Sequence, residues 1–418
     1  MAKVLHVSTV RQGLEVRAFH HECRSLRDAG FAVEFVVHNG PHDAIVEGIS
    51  VRTLGPLRKQ RRGLLPFDRA SAFLRAFYIV GTIPSDLVHL HDPELIPLGV
   101  WLKLTSRRRV VYDSAENYAA YMLQKQYLPA LLRWILFGVT VALEKVAGWL
   151  LDAVITADES TSAVLRSRGA KRVLTLHNFP RLSLFQRQTS ERLLDEMRDA
   201  NELKEYDLVY HGSVPKYHLE IAFDIAETLK RRGTEIRWLI FGSVDDLPWA
   251  SQQIRDRDLT NNFTIQGSVD HSEVPPLVRK ARMGVIPLPD LPKFRHNIPM
   301  KLFEFMALEM PVVLSDLPPS RRFVGDGAQK CALMVAPGDA DSFADAIELL
   351  LRDRKLREQM GAAGRKRIEN QFNWDTESRK LVSLYRELLP QTAHSEPNPI
   401  ERVMYRRRST SQRVSPVE

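Results

Sequence analysis

Short apolar runs alternate with longer amphipathic stretches along almost the whole chain, as when buried parallel strands feed the helices that cover them. The first unit is the clearest. Residues 3–8 read as a buried strand, Phe19, Cys23 and Leu26 share one helical face, Gly30 closes that helix, and 32–38 read as the next strand. Strands are expected over 87–91, 110–113 and 153–156, each followed by a helical pattern, and the strand signals lapse around 181–201. They resume at 207–211, followed by a helix over 220–230 and strands over 238–241, 263–265 and 283–287. A helix over 301–308, a strand over 312–314 and helices over 342–352, 355–370 and 375–389 complete the pattern. The second half thus repeats the architecture of the first without repeating its sequence. Two doubly wound α/β sheets leave a cleft between them, and ligands of such sheets bind outside the carboxyl ends of the strands.

Length agrees with this division, because 418 residues at roughly 150 per domain make two or three domains. The expected organisation is an N-terminal Rossmann-like domain over 1–185, a linker over 186–205 and a second Rossmann-like domain over 206–372. A C-terminal helix over 373–391, able to cross back to the first domain, precedes a basic tail over 392–418. That tail is rich in Arg, Ser and Pro and is expected to be disordered. Hydrophobic residues at 44 % and charged residues at 26 % exclude collagen, coiled coil and wholesale disorder. The two cysteines, Cys23 and Cys331, are too far apart in sequence for a disulfide framework or a zinc knuckle, which fits a reducing cytosol. The apolar opening is too short for a signal peptide. The longest greasy run, 134–143, has ten residues where a bilayer span needs about twenty.

The formal charge of +8 is unevenly placed. Residues 1–185 carry 24 Lys and Arg against 16 Asp and Glu, 186–391 carry 30 against 32, and the tail carries five against three. Two basic clusters stand out, Arg58-Lys59-Gln60-Arg61-Arg62, followed at once by Gly63-Leu64-Leu65-Pro66-Phe67, and Arg107-Arg108-Arg109. Neither is interleaved with base-stacking aromatics, which argues against nucleic acid. The first suits an anionic membrane surface and equally suits a solvated loop.

Several motifs of known chemistry are missing. No GxGxxG follows the first strand, and there is no GxxxxGK[ST] and no GxSxG. His20-His21-Glu22 starts like a zinc-protease helix, but no His follows Glu22 at the spacing that motif needs. Acidic pairs at Asp245-Asp246, Asp256/Asp258 and Asp339/Asp341 fall in loops or before a helix, where Asp caps free N–H groups, so no metal ligand is assigned.

The informative stretch runs from His296 to Asp316. Pro299 stands where a helix begins, with Lys301 and Glu304 in its first turns. A helix N-terminus offers free N–H groups and partial positive charge to a phosphate, and a carboxylate there can accept two ribose hydroxyls. A following strand delivers Ser315 and Asp316 to its carboxyl end. The same spacing also describes a capped amphipathic helix that packs Leu302, Phe303 and Met306.

This stretch resembles the signature of retaining glycosyltransferases of the GT-B fold, family 4, whose variant reads Pro-Asn-Lys-Leu-Phe-Glu-Tyr-Met-Ala and then Pro-Val-Val. The resemblance extends through Val4–Ser8 with Arg17–Leu26, His89-Leu90-His91-Asp92-Pro93-Glu94, Val110–Glu116 and Tyr210-His211-Gly212-Ser213-Val214-Pro215-Lys216. It implies a GT-B architecture with two Rossmann-like domains facing a central cleft. It also implies metal-independent, hexosyltransferase-type transfer, with retention, from a nucleotide diphosphate sugar to a hydroxyl. Donor contacts are implied for Gly212, Ser213, Lys216, His296, Pro299, Lys301, Glu304, Ser315 and Asp316. Acceptor contacts are implied for Arg17, His91, Asp92 and Glu116, with Lys216, Glu116 and His91 nearest the chemistry.

Three positions depart from the family pattern. The first Glu of its Glu-x7-Glu pair falls on His296, the Arg after the loop glycine is Ser213, and the His of its Tyr-Asp-x-His-Glu turn is Ala115. They motivate an alternative, a non-catalytic nucleotide-sugar binder that assists a partner enzyme. A third reading is a non-hydrolysing epimerase on a similar fold. Relatives often build surface polysaccharides or glycolipids, so a lipid-linked acceptor and peripheral attachment to the inner face of a membrane are expected.

Overall fold

Parallel strands must be covered on both faces, and in this protein one of the covers comes from the far end of the chain. The computed structural model describes residues 1–41, 43–55, 66–125, 127–185, 204–295 and 297–389. The first sheet holds β1 (Lys3–Gln12), β2 (Ala32–His38), β3 (Ala44–Val46), β4 (Ile49–Thr53), β5 (Leu87–Leu90), β6 (Arg109–Ser114), β7 (Ala153–Thr156) and β8 (Val173–Thr175). Their order is β3-β4-β2-β1-β5-β6-β7-β8, and only the β3/β4 pair is antiparallel. The second sheet holds β9 (Tyr206–Val214), β10 (Trp238–Val244), β11 (Phe263–Gln266), β12 (Ala281–Ile286), β13 (Val312–Ser315) and β14 (Ala332–Val335). It is wholly parallel in the order β11-β10-β9-β12-β13-β14. Chain order reverses between β1 and β5 in one sheet and between β9 and β12 in the other. Those switch points open the crevices in which doubly wound sheets hold ligands.

The structure differs locally from the sequence expectations. β1 runs on to Gln12, and the helix after it winds as a π-helix over Val16–Cys23 before Arg24–Asp28 becomes α-helical. The β3/β4 hairpin and β8 were not anticipated, because strands of three to five residues are too short to establish a period. The basic cluster at 58–62, most of the 186–205 linker and the 392–418 tail lie outside the described residues.

The last helix, Trp374–Leu388, lies on the first sheet. Trp374, Leu381, Leu384, Tyr385 and Leu388 pack with Val4, Phe19, Leu87, Val111 and Ile155. Trp374 stacks on His21 with ring centroids 4.4 Å apart, and its Nε1–H donates to Ser25 Oγ at 2.8 Å. Asn373 caps the helix by accepting from Thr376 N at 2.9 Å, and Trp374 N donates to Pro180 O at 3.0 Å. Nearby, Arg322 from the second domain meets Glu159 and His177 of the first, and His177 also lies 3.5 Å from Glu377.

Trp374→Ala is expected to destabilise the protein by about 3–5 kcal/mol, the cost of a large buried aromatic truncated in a core that cannot collapse. Trp374→Phe should cost clearly less. Urea titrations followed by circular dichroism check both, and equal midpoints for the alanine variant and the parent would contradict the packing described.

Candidate active site

The second domain's switch point is built around the helix Met300–Ala307. Its Leu302, Phe303, Phe305, Met306 and Ala307 are buried, and this leaves Lys301 and Glu304, one turn apart, on a shared face. Pro299 is its N-cap residue, with extended backbone. That face looks onto the end of β9. Glu304 Oε2 lies 3.2 Å from His211 Nε2, and His211 itself stacks on Phe241 with centroids 5.2 Å apart. Lys301 Nζ sits 4.6 Å from the centre of the Tyr210 ring. The Tyr210 hydroxyl in turn bonds His218 Nδ1 at 2.6 Å and donates to Ser213 O at 3.0 Å.

The backbone at the carboxyl ends of β9 and β10 is fixed by two glycines. Gly212 has φ +96°, in the region open mainly to glycine, and a side chain added there would meet Lys301 Nζ at 3.4 Å. Gly242 lies opposite Gly212 on β10, and a Cβ on it would come 2.0 Å from Gly212 O, which no rearrangement of side chains relieves. Gly212 and Ser213 therefore present exposed backbone beside the Lys301 ammonium. Burial penalises both charges of the helix pair. It pushes the Glu304 carboxyl up to about 7, with the Lys301 charge opposing the shift, and brings Lys301 down to about 8, with Glu304 opposing.

The other donor-side residues are placed differently. Lys216 Nζ, at the start of the Lys216–Arg231 helix, pairs with Asp246 at 2.9 Å and lies 4.9 Å from the Trp249 ring centre. Both partners are well exposed, so the pair contributes little and exchanges readily for another anion. Ser315 Oγ donates to Leu288 O at 2.7 Å, and Asp316 is clamped by Arg321 at 2.7 and 3.2 Å. His296 lies outside the described residues.

Across the cleft, Glu116 is exposed and lines a cavity of about 160 Å³ with Asp158 and His177 of the first domain and Asn297, Met300 and Phe303 of the second. Arg17, His91 and Asp92 do not reach that surface. The Arg17 guanidinium is 3 % exposed and donates to both Asp113 oxygens at 2.9 and 2.8 Å, to Leu176 O at 2.9 Å and to Asn178 Oδ1. His91 is buried between Asp113, 3.3 Å from its Nδ1, and His6, 3.0 Å from its Nε2. Asp92 accepts from Ser8 Oγ at 2.8 Å, Thr9 N at 2.7 Å and Val10 N at 3.2 Å, so it shapes the β1 loop. These three residues can position the cleft but do not line it.

Sequence reasoning passed over His211. Its signal was alternation on β9, which puts residue 211 on the same sheet face as Val209 and, in the fold, under Glu304. It also passed over an apolar surface. On the helix Ala130–Leu150, Leu131 (74 %), Trp134 (61 %) and Trp149 (64 %) are exposed together with Ile135 and Val139, while the buried side holds Thr140, Glu144, Ala147 and Gly148. Among the described residues, no helix is long and apolar enough to cross a membrane.

Residues 195–367 match the family model of glycosyl transferases group 1. The chain is 26 % identical over 170 residues to the alpha-D-kanosaminyltransferase of Streptomyces kanamyceticus, a match spanning 41 % of this chain and 42 % of that protein. It is 24 % identical over 304 residues to the phosphatidyl-myo-inositol mannosyltransferase of Mycobacterium leprae, spanning 72 % and 73 %. Among solved structures it resembles Anabaena Alr3699/HepE, crystallised in complex with UDP-glucose, with a TM-score of 0.66 and 14 % identity over 93 % of this chain and 100 % of that one. The two parallel-sheet domains are those of the GT-B fold.

Lys301→Met removes the charge that holds Glu304 down, so the carboxyl is expected to titrate above about 7 in that variant. Glu304→Gln should move Lys301 below about 8. Nuclear magnetic resonance of 13C-labelled Glu and Lys side chains reads both changes, and the absence of either would mean that the two groups do not face each other.

Proposed function

With residues 195–367 matching the family model of glycosyl transferases group 1 and the fold that of GT-B proteins, we propose that the protein transfers a sugar from a nucleotide diphosphate sugar to a hydroxyl, with retention at the anomeric carbon. The observation that carries this reading is the desolvated Lys301–Glu304 pair beside the exposed Gly212–Ser213 backbone. Glu304, oriented by His211, accepts the ribose hydroxyls. The diphosphate lies against Lys301, the backbone at the exposed end of β9 and the N-terminus of the Met300–Ala307 helix, with Lys216 recruited from Asp246. The acceptor oxygen attacks from the face on which the phosphate departs. The glycosidic C–O bond forms as the C–O(phosphate) bond breaks, and the acceptor proton passes to the leaving phosphate oxygen. Lys301, Lys216 and the helix N-terminus already meet the developing charge, so the transfer calls for no metal ion at the donor. Glu116, on the opposite wall, orients the acceptor hydroxyl.

The acceptor is lipid-linked in this reading, and the protein works at the cytosolic face of a membrane in polysaccharide or glycolipid synthesis. Support comes from the exposed Leu131, Trp134, Ile135, Val139 and Trp149 together with the cations near them. Lys171 Nζ lies 5.1 Å from the Trp149 ring centre, Lys125 lies 5.4 Å from that of Tyr121, and Lys145 is exposed on the same helix. An apolar face rimmed by Lys fits an anionic bilayer surface. The relatives named above include a mannosyltransferase whose name specifies a phosphatidyl-inositol acceptor.

Thermal-shift screening against UDP, GDP, ADP and TDP is expected to single out one base, because binding to the native state alone raises apparent stability. Glu304→Ala should weaken that nucleotide at least about tenfold, about 1.4 kcal/mol. Affinity should rise as Glu304 ionises near pH 7 and fall as Lys301 discharges above about 8, giving an optimum between them that Glu304→Gln flattens on its acid side. Tight binding without turnover on any acceptor would select the non-catalytic alternative. For the membrane, Trp134→Ser with Trp149→Ser should reduce flotation with phosphatidylglycerol vesicles at least about tenfold, given the large area an aromatic side chain buries. Unchanged flotation, or flotation that ignores anionic lipid, would count against that surface.

A further inference from the structure

Beneath the loops of the first domain, four potential ligands converge in its core. They are His6 on β1, His89 and His91 from β5 and its carboxyl end, and Glu22 on the π-helical segment. All four are fully buried, and one ligating atom of each lies within 4.8 Å of the others. Topology makes the convergence. β1 and β5 are parallel neighbours with His6 opposite His89, residues 89 and 91 share a face by alternation, and the Val16–Cys23 segment carries Glu22 over that face.

The distances have the scale of a coordination shell. His6 Nδ1 is 3.0 Å from His91 Nε2 and 4.0 Å from Glu22 Oε2, and Glu22 Oε2 is 3.7 Å from His89 Nε2. Four ligands at about 2.0–2.2 Å from a tetrahedral centre stand about 3.3–3.6 Å apart. Closing the shell opens the His6–His91 pair by about 0.3–0.6 Å and draws in the wider separations, none beyond 4.8 Å, by up to about 1.5 Å.

The surrounding groups aim the ligands inward. His91 Nδ1 faces Asp113 Oδ2 at 3.3 Å, and His89 Nδ1 faces the Tyr385 hydroxyl at 2.6 Å. An N–H donated outward from each Nδ1 leaves each Nε2 lone pair directed into the cluster, the arrangement in which an imidazole serves as a metal ligand. Arg17 holds both oxygens of Asp113 and lies 3.2 Å from Glu22 Oε1, so one guanidinium fixes the outer carboxylate and the inner one together. The formal charges are two carboxylates against one guanidinium, one negative charge in excess where charge is costly to bury.

We propose that His6, Glu22, His89 and His91 bind a divalent transition-metal ion of the Zn²⁺ type as a structural staple. Three imidazoles and one carboxylate select Zn²⁺, with Co²⁺ and Ni²⁺ as substitutes, over the oxygen-seeking Mg²⁺ and Ca²⁺. Four protein ligands with no exposure make a closed site, hence a structural one. The ion ties β1 to β5 and to the Glu22 segment and, through Tyr385, to the last helix. It lies apart from Lys301 and Glu304, so it does not depend on the proposed sugar transfer.

The test uses the full chain without a polyhistidine tag. Plasma mass spectrometry of protein purified without chelator is expected to find close to one Zn²⁺ per chain. Growth in Co²⁺ medium should give the visible absorption of tetrahedral Co²⁺. Refolding from denaturant in chelator should lower the melting temperature of the parent relative to refolding in Zn²⁺. The variants Glu22→Gln and His91→Gln should lose most of the metal and be indifferent to chelator. Should they fail to fold, the parent's metal content and Co²⁺ spectrum decide. A parent that holds less than about a tenth of an ion per chain after refolding in excess Zn²⁺ would overturn the proposal and leave a proton closing the network.

Discussion

One face of the first sheet is closed by the last helix of the chain, and much else depends on that closure. Trp374 and Tyr385 bury themselves among residues from β1, β5, β6 and β7, so the N-terminal domain is incomplete until the C-terminal domain has been traversed. A parallel sheet left open on that side would expose a continuous apolar surface to water. The two domains are thereby held close to each other, with Arg322, Glu159 and His177 meeting at the seam. The cleft that receives ligands is a by-product of covering a sheet.

The protein treats buried charge in two ways. In the second domain, Lys301 and Glu304 are desolvated but face the cleft, and their protonation is poised near neutrality. Such a pair responds to whatever enters, because an incoming polar group replaces the water that burial has removed. In the first domain, Arg17, Asp113, Glu22 and three histidines are sealed from solvent, and their mutual contacts fix β1, β5 and β6. The first arrangement suits recognition and the second suits rigidity, although the residue types are similar. Access to water makes the difference.

The surface of the first domain follows the same logic. Its excess positive charge is visible in composition, but the apolar face on the helix Ala130–Leu150 is not. A run of ten apolar residues ordinarily reads as core. Here the buried side carries Thr140, Glu144 and Gly148, and the large side chains point outward. The amphipathic helix is inverted, which helical periodicity alone cannot reveal because it gives the angle between faces and not which face turns to solvent.

Sequence alone determined the alternation of strands and helices, the two-domain division and the placing of Lys301 and Glu304 in the first turns of one helix. Those features arise from local periods of two and 3.6 residues and from turn chemistry, which neighbours along the chain suffice to impose. Tertiary structure decided that Arg17, His91 and Asp92 turn inward to hold the core while Glu116 lines the cleft. It also decided that His211 meets Glu304, and that His6, Glu22, His89 and His91 converge. Alternation assigns a side chain to a face of the sheet, but whether that face meets a helix, a cleft or water depends on segments more than eighty and sometimes nearly three hundred residues away. Charge and burial are properties of that assembly, so residues of one type in one motif can become clamp, ligand or wall.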